Sequence, residues 1–505
     1  MARKHGGKGT RIPPLARFAH MVRPLPVFHV LGPVILMFGA AMLLPLAIAS
    51  LAHDAGQTAY QLSVPVTIAA GIALWAATRR HRAELQIHHG FLLVALTWTV
   101  LPAFAALPLM IGLPGLSFTD AYFETASAMT TTGATVLVGL DNLPASINVW
   151  RAMLQWLGGM GVVVLAVAIL PLLGVGGRQV FKAETPGPMK DEKLTPRMAQ
   201  TAKGLWTVYV LLTVLCVLAY AAAGMPWLDA LVHAFTTMPL GGYSNHDASF
   251  AFFDSPAIEF VAVVFMLIAG VNFSTHFLAF HGRSLAPYRR DPEVLAFLLV
   301  LLASCWGVAA YLWYMGTYAE LSAAARYATF NVVSIATTTG YASTDYNQWP
   351  VFAPLWMLAL CIFASSSGST GGGIKMIRAQ LLWSNALRVL TALIHPRAYL
   401  VVKVRNVPVS NHIVFGTLAF ALIFGITTLV TVMLLAATGL DFISAVTGAI
   451  ACITNTGPGL GVVGPAGNYA TLTDLQKWVC TAAMLLGRLE LFTLLIVFTP
   501  AFWTR

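Results

Sequence analysis

Long apolar segments alternate with short charged or Gly/Pro-rich segments along most of the chain. Several approach the ~20 apolar residues that a helix needs to cross the hydrocarbon core of a bilayer. The pattern predicts an integral membrane protein that crosses the bilayer about ten times, with two crossings ahead of Phe91. The clearest segments are Val30–Ser50, Leu62–Ala77, Phe91–Ile111, Val162–Gly174, Leu205–Ala222 and Val261–Ile268.

Composition and charge placement agree with a membrane-embedded chain and suggest its orientation. Of the 505 residues 58% are hydrophobic and 10% are charged, which excludes a set of soluble domains. If every basic cluster is cytoplasmic, the positive-inside rule predicts two crossings between successive clusters and both termini in the cytoplasm. Topology therefore explains the net charge of +10, and no nucleic-acid partner is expected. The clusters are Arg3–Arg23, Arg79–Arg82, Arg178–Lys203, Arg283–Arg290, Lys375–Arg405 and Arg505.

The segments on the predicted outer side carry most of the acidic residues. A mouth lined by one sign of charge raises the local concentration of counter-ions, so these acids could form a funnel for cations. They could equally be solvated loop carboxylates, and charge placement alone leaves both interpretations open. The segments hold 12 of the 19 Asp and Glu, namely Asp54, Asp120, Glu124, Asp141, Asp229, Asp247, Asp254, Glu259, Glu320, Asp345, Asp441 and Asp474.

Four short polar segments on the acidic side end in similar Thr/Gly turns. The segments are Thr119–Thr135, Asp229–Asn245, Tyr327–Ser343 and Asp441–Leu460, and their aligned glycines are Gly133, Gly242, Gly340 and Gly457. These glycines recur at intervals of 98 to 117 residues, which leaves room for one outgoing span, a cytoplasmic link and one incoming span. The spacing therefore predicts four tandem span–loop–span repeats.

Irregular backbone at membrane depth indicates an internal site, because lipid cannot satisfy bare amides and carbonyls. Four such loops predict one axis, where glycine lets the chain aim carbonyl oxygens inward in place of an ion's hydration water. A half-length helix before each turn directs the negative end of its dipole to this axis, which favours a cation. The alternative is that these are ordinary loop turns. The predicted ion ligands are Thr131, Thr132, Gly133, Leu240, Gly241, Gly242, Thr338, Thr339, Gly340, Asn455, Thr456 and Gly457.

Several longer motifs carry a resemblance to a known family. They are the four turns, Trp156–Gly161 continuing through Ile169–Gly177, Ala183–Pro188, Ser365–Lys375 and Gly487–Glu490. With these motifs, which span most of the chain, the sequence resembles the TrkH family of bacterial potassium uptake proteins. The resemblance implies uptake of potassium ions across the cell inner membrane by a non-enzymatic homodimer with one pore per subunit. It also implies a cytosolic TrkA-like ring as regulatory partner, with nucleotide (ATP, ADP or NAD) bound only to that ring.

The resemblance further implies an all-α fold in which two extra N-terminal transmembrane helices precede four pore repeats around one pore. Residues 1–90 are expected to hold the cytoplasmic N-terminus and the two extra helices, and residues 91–180, 181–290, 291–405 and 406–505 the four repeats. Two loops depart from the pattern: Met238–Leu240 replaces the Thr-rich approach in the second, and Pro458 follows Gly457 in the fourth. The ring is therefore chemically unequal, and we expect modest discrimination against sodium.

A Ser/Gly-rich segment, residues 364–373, interrupts an apolar span of the third repeat. Each glycine costs about 1 kcal/mol relative to alanine inside a helix, so a loop is predicted here. The family resemblance implies that this loop plugs the path below the turns, and that Arg488, inside the predicted last span Trp478–Phe498, acts as a barrier or contacts the loop. A structural ion pair is the alternative for Arg488. The predicted gate comprises Ser365, Ser366, Ser367, Gly368, Ser369, Thr370, Gly371, Gly372, Gly373, Lys375 and Arg488.

Two other classes of function were weighed against a pore. A proton- or sodium-coupled potassium carrier (symport) tolerates broken helices, but inverted-repeat carriers place their halves in opposite orientations, whereas all four loops here face one side. This carrier is kept as the alternative. A membrane enzyme would need a nucleophile with a base or clustered metal ligands, and no such motif is found. The five single cysteines, His233 and His276 are predicted to be packing residues.

Overall fold

The computed structural model describes residues 24–81, 85–161, 198–405 and 407–503, and these residues are mostly helical. One short antiparallel ladder pairs β1 (Lys403–Val404) with β2 (Val407–Pro408). The helices of these ranges, numbered in chain order, are α1 Leu25–Ala41, α2 Leu43–Ala52, α3 Gln57–Thr78, α4 Ile87–Gly112, α5 Phe118–Met129, α6 Ala145–Gly159, α7 Met198–Ala222, α8 Trp227–Thr237, α9 Pro256–Ala269, α10 Phe273–Gly282, α11 Ala286–Arg290, α12 Val294–Tyr314, α13 Leu321–Ala336, α14 Phe352–Phe363, α15 Met376–Ile394, α16 Asn411–Ala437, α17 Phe442–Ile453, α18 Asp474–Arg488, α19 Phe492–Leu495 and α20 Pro500–Trp503.

The long apolar helices account for the membrane-spanning character of the chain. Within the described residues, six stretches are long and apolar enough to cross a membrane, and two bent helix pairs raise the number to as many as eight. The predicted span Val162–Gly174 lies outside the described residues. The chain is a multi-pass membrane protein. The six stretches are Leu25–Ala52, Gln57–Thr78, His88–Gly112, Ala202–Ala222, Val294–Tyr314 and Asn411–Ala437.

The predicted last span, Trp478–Phe498, is wrong as a continuous helix. α18 ends at Arg488, and the helical segment that follows is bent from it by 106°. The break lies at Glu490 and Leu491, whose φ angles of 51° and 50° fall in the left-handed region, which a right-handed helix cannot contain. Arg488 therefore lies at the end of a helix, at the bend between the two halves of this segment.

The interruption predicted in the third repeat is confirmed as a break between two helices. α14 ends at Phe363 and α15 begins at Met376. Between them Gly368 and Gly373 have φ angles of 75° and 74°, and Lys375 has a φ angle of 80°. Glycine adopts these angles at little cost, so the glycines permit the tight reversals of this segment.

Four short helices, α5, α8, α13 and α17, occupy the four polar segments that the sequence singled out. They are 11 to 16 residues long, below the ~20 residues that cross a bilayer. Side chains cap two of them at the N-terminus: Ser117 accepts a hydrogen bond from the Asp120 amide, and Asp441 accepts one from the Ser444 amide. Each of the four helices leads into one of the four turns that end in the aligned glycines.

Candidate functional site

Each of the four short helices ends in the same backbone turn. In every turn the residue two positions before the aligned glycine has a left-handed backbone conformation. The amide of the residue just before that glycine donates to the carbonyl oxygen of the residue five positions before its own, over 2.8 to 2.9 Å. These features define a Schellman motif, which terminates a helix. We name the turns turn 1 (Thr130–Gly133), turn 2 (Pro239–Gly242), turn 3 (Thr337–Gly340) and turn 4 (Thr454–Gly457). Their left-handed residues are Thr131 (φ 54°), Leu240 (56°), Thr338 (62°) and Asn455 (56°).

Two of these left-handed residues, Thr131 and Thr338, are β-branched and therefore strained. Such a conformation costs on the order of 1–3 kcal/mol and persists only where the surroundings hold it. Hydrogen bonds from other parts of the chain help to hold these two turns. The Asn455 side chain of turn 4 donates to Thr132 Oγ1 of turn 1 at 3.0 Å. The Gly372 amide of the Ser/Gly-rich segment donates to Thr338 Oγ1 of turn 3 at 2.7 Å. Strain of this kind clusters at functional sites.

The four aligned glycines connect the turns into a closed ring. A Cβ atom added to any of them would lie within 3.0 Å of the carbonyl oxygen that precedes the aligned glycine of the next turn. The contact order runs from turn 1 to 2, 2 to 3, 3 to 4 and 4 back to 1. No side chain fits at these junctions. The junctions are Gly133 with Gly241 O, Gly242 with Thr339 O, Gly340 with Thr456 O and Gly457 with Thr132 O.

All four aligned glycines also line one cavity of about 90 Å³. Its other lining residues include Tyr243, His246 and Asp247, from the chain that follows turn 2. His246 lies between two carboxylates, at 2.5 Å from Asp141 and 3.3 Å from Asp229. The ring of turns is therefore open to a polar chamber on its glycine side.

Several acids that the sequence assigned to an outer funnel are neutralised by buried or half-buried cations. The funnel hypothesis is wrong for these acids, because their charge is used inside the protein. Breaking one side of such a pair leaves an uncompensated charge, so the pairs hold the short helices in place. Arg151, Arg326 and Lys477, which lay outside the basic clusters, are the partners. The pairs are Glu124 with Arg151 at 2.8 Å, Asp120 with Lys477 at 2.6 Å, and Glu259 with Arg326 at 2.7 Å.

The Ser/Gly-rich segment between α14 and α15 lies against the helix side of the ring. Thr370 Oγ1 donates to the Met238 carbonyl at 3.0 Å, and the Gly372 amide donates to Thr338 Oγ1 at 2.7 Å. A Cβ atom on Gly372 would lie within 3.0 Å of the Thr454 carbonyl oxygen, so turn 4 is also in contact. These contacts involve the residue before turn 2 and the first two positions of turns 3 and 4, whereas the cavity is lined by the last residue of each turn. The segment and the cavity therefore lie on opposite sides of the ring.

Arg488 connects this segment to the end of α6. Its guanidinium donates to the Thr370 carbonyl at 3.0 Å, and to the carbonyls of Gly158 and Gly159 at 2.7 and 3.0 Å. The nearby Glu490 pairs with Arg378 at 2.8 Å. Lys375 donates to the Gly371 carbonyl within the segment itself. The structure therefore brings the residues predicted as ion ligands and those predicted as gate into one continuous region.

Other candidate residues have structural surroundings. His233 contacts the Asp229 carbonyl at 2.8 Å and Ser244 at 3.0 Å, and His276 contacts Tyr288 at 2.7 Å and the Ile268 carbonyl at 2.9 Å. The five cysteines are buried and free. The prediction that these are packing residues is confirmed. The motifs Ile169–Gly177 and Ala183–Pro188 lie outside the described residues.

Sequence reasoning missed one buried polar side chain at the ring, Gln155 of α6. Its Nε2 donates to the Gly241 carbonyl at 2.7 Å, and its Oε1 accepts from the Tyr243 amide at 3.2 Å. Turn 2 is the turn without threonine. Its missing hydroxyl could have indicated that another polar side chain supports this turn. Gln155 follows Arg151 by one helical turn, which is the spacing of neighbours on one helix face.

Taken together, the apolar helices and the buried ring of turns define a multi-pass membrane protein whose four turns meet through main-chain oxygens. Comparisons with known proteins narrow this class. Residues 59–505 match the TrkH family, described as cation transport protein. The chain belongs to this family.

Individual relatives cover nearly the whole chain. The Trk system potassium uptake protein TrkH of Salmonella typhimurium is 45% identical over 478 residues, which cover 94% of this chain and 99% of that protein. The protein of the same name from Halomonas elongata is 45% identical over 483 residues, covering 95% and 99%. The crystal structure of the potassium transporter TrkH from Vibrio parahaemolyticus superposes with a TM-score of 0.86 at 40% identity, covering 95% of this chain and all of that one.

Proposed function

We propose that this chain takes up potassium ions across a bacterial inner membrane through the ring formed by turns 1 to 4. The observation that carries the proposal is the cyclic contact of the four aligned glycines with main-chain oxygens of the next turn. A ring of such oxygens can replace the hydration shell of a cation. The C-terminal ends of α5, α8, α13 and α17 meet at the ring, and their dipoles favour positive charge. The relatives named above as potassium uptake proteins support the choice of ion.

The proposed pore is built from four repeats, residues 91–180, 181–290, 291–405 and 406–505, behind two extra helices in residues 1–90. In this arrangement the Ser/Gly-rich segment and Arg488 close the path on the cytoplasmic side of the ring. Their contacts support this role, because they join the residue before turn 2 (Met238), turn 3 (Thr338) and the end of α6 (Gly158). Both termini are cytoplasmic in the proposal, and a homodimer with a nucleotide-binding cytosolic ring controls opening.

Reconstitution into liposomes is the direct test. We expect the purified protein to carry potassium down its gradient, with potassium preferred over sodium and with no requirement for an imposed proton gradient. A channel needs no coupling ion, whereas a symporter moves potassium uphill only when protons or sodium move downhill. Potassium flux that appears only with a proton or sodium gradient would favour the coupled carrier, and absence of any potassium flux would contradict the proposal.

Glu293, just before α12, is expected to hold the Ser/Gly-rich segment of residues 364–373, here named the gate segment, in its closed position. One carboxylate oxygen accepts hydrogen bonds from the Ser367 amide within the segment and from the Ile377 amide in the first turn of α15, each at 2.9 Å. Burial raises the pKa of the Glu293 carboxyl to about 7; Asp291 adds to the shift, while the two amides and Lys375 oppose it. Above that pH the carboxyl is charged, and hydrogen bonds to a charged acceptor are roughly twice as strong as neutral ones.

We therefore expect flux through the protein without its partner ring to rise roughly fivefold as the cytoplasmic pH falls from 8 to 6, since about 1 kcal/mol of holding energy is lost. Glu293→Gln keeps the shape without the charge, so its flux should be high and nearly independent of pH. Liposome flux measured at several internal pH values checks this. Glu320→Gln, on an exposed carboxylate before α13, is the matched control and should retain the parent pH profile. A Glu293→Gln profile identical to the parent profile would rule out this role.

A further inference from the structure

Turn 2 lacks the side chains that support the other three turns. In turns 1, 3 and 4 the first and third residues are threonines whose hydroxyls contact each other at 2.7 to 2.8 Å. Turn 2 has Pro239 and Gly241 at these positions. Two successive glycines, Gly241 and Gly242, would leave this quarter of the ring with the greatest backbone freedom.

The side chain of Gln155 occupies the space that the missing threonine would fill. A Cβ atom on Gly241 would lie within 3.0 Å of the Gln155 carboxamide, and its three nearest atoms all belong to that group. The carboxamide is fully buried. It donates to the Gly241 carbonyl and accepts from the Tyr243 amide, so it holds the backbone on both sides of Gly242. Gln155 comes from α6 of the first repeat, whereas the turn belongs to the second.

The Gly241 carbonyl that Gln155 contacts is itself a member of the ring, because it faces Gly133 of turn 1. A carbonyl oxygen has two lone pairs, so it can accept from Gln155 and still face a cation. By fixing this oxygen, Gln155 sets the width of the ring at turn 2, the turn with the greatest backbone freedom. A ring that yields can contract around the smaller sodium ion, whereas a ring of fixed width favours potassium.

We infer that Gln155 is a positioning residue that sets potassium selectivity at turn 2, a role that rests on the proposed function. Gln155→Leu removes both hydrogen bonds at nearly constant volume. The expected result is a fall of about tenfold in the potassium-to-sodium flux ratio, equivalent to about 1.4 kcal/mol. Total flux should change less than the ratio, because sodium passage rises as potassium passage falls.

A double substitution that replaces Gln155 and introduces a threonine at Gly241 gives a sharper test. Gly241→Thr alone should disrupt turn 2, because the new side chain meets Gln155. Combined with Gln155→Ala, the threonine has room at the third position of the turn, which threonine also occupies in turns 1, 3 and 4. The double variant should therefore be more selective than either single variant, a coupling that a double-mutant cycle measures. If the double variant is no more selective than the less selective single variant, the conclusion that Gln155 takes the place of the missing threonine is wrong.

A control separates selectivity from general packing. Gln476 is also buried, and its Nε2 donates to the Thr438 carbonyl at 3.3 Å, away from the ring. Gln476→Leu is expected to lower thermal stability while leaving the flux ratio at the parent value. Equal flux ratios in Gln155→Leu and the parent would overturn the inference. For variants too unstable for flux, the difference between the melting temperatures in potassium and in sodium reports ion preference in detergent.

The same measurements distinguish failure of this inference from failure of the proposed function. A parent chain with neither potassium flux nor potassium-dependent stabilisation would contradict both. A parent chain that conducts potassium selectively, with a Gln155→Leu variant that is equally selective in flux and in stabilisation, would contradict the role of Gln155 alone.

Discussion

Replacing Gly340 with serine is expected to remove most of the preference for potassium over sodium. A Cβ atom there would lie within 3.0 Å of the Thr456 carbonyl oxygen and at 2.8 Å from Pro458 Cδ. Both neighbours belong to the backbone or to a rigid ring, so turn 4 itself must shift. The φ angle of +87° adds strain for any side chain. We expect the potassium-to-sodium flux ratio in liposomes to fall at least about tenfold.

A matched glycine separates displacement of the ring from backbone strain. Gly439 has a φ angle of +88°, and a Cβ atom there would meet nothing within 4 Å. Gly439→Ser therefore introduces similar strain with no contact at the ring, and it should keep the parent flux ratio. If Gly340→Ser retains the parent ratio while the protein remains folded, the assignment of turns 3 and 4 to the ion path is wrong.

Replacing Arg488 with alanine should raise the potassium flux of the chain by itself, without the proposed regulatory ring, by roughly tenfold. The guanidinium holds the Thr370 carbonyl of the gate segment against the end of α6, and hydrogen bonds to charged groups contribute about 1.5–3 kcal/mol each. Without it, the segment loses its link to α6. Single-channel recording or liposome flux measures the change.

Two further substitutions show which property of Arg488 matters. Arg488→Lys keeps the positive charge but cannot reproduce the planar fork of donors that contacts Thr370, Gly158 and Gly159. High flux in the lysine variant would favour a mechanical hold, and parent-like flux would favour an electrostatic barrier. Arg388→Ala, on a side chain that contacts Asn385 and Asn411 away from the ring, is the control. A fall in flux for Arg488→Ala, with the protein folded, would contradict both interpretations.

The sequence located the four turns because each ends a short polar segment in an aligned glycine, and these glycines recur at intervals of 98 to 117 residues. Turn 2 shares no threonine with the others, yet Gly242 aligned correctly with Gly133, and the φ angles of Leu240 and Thr131 agree to within 2°. Backbone conformation depends on local residues and hydrogen bonds, so it was accessible to sequence reasoning. The identity of the side chains that support each turn was not.

The last helix shows the limit of hydropathy. Trp478–Phe498 is apolar enough to be one span, but the chain bends by 106° after Arg488. Neither Glu490 nor Leu491 is a residue that marks a break, yet both are left-handed, and Glu490 pairs with Arg378 from another helix. Glu124 was likewise misassigned to an outer funnel, because packing pairs it with Arg151, 27 residues further along the chain.

The sequence by itself determined the membrane class, the apolar helices, the four turns and the break after α14, because these depend on local composition, spacing and glycine. Only the tertiary structure decided that the turns close on one another in cyclic order, that Gln155 of one repeat supports the turn of the next, and that Arg488 contacts the gate segment. These relations join residues roughly 90 to 330 positions apart. No local pattern encodes such pairings, because they arise when the helices pack.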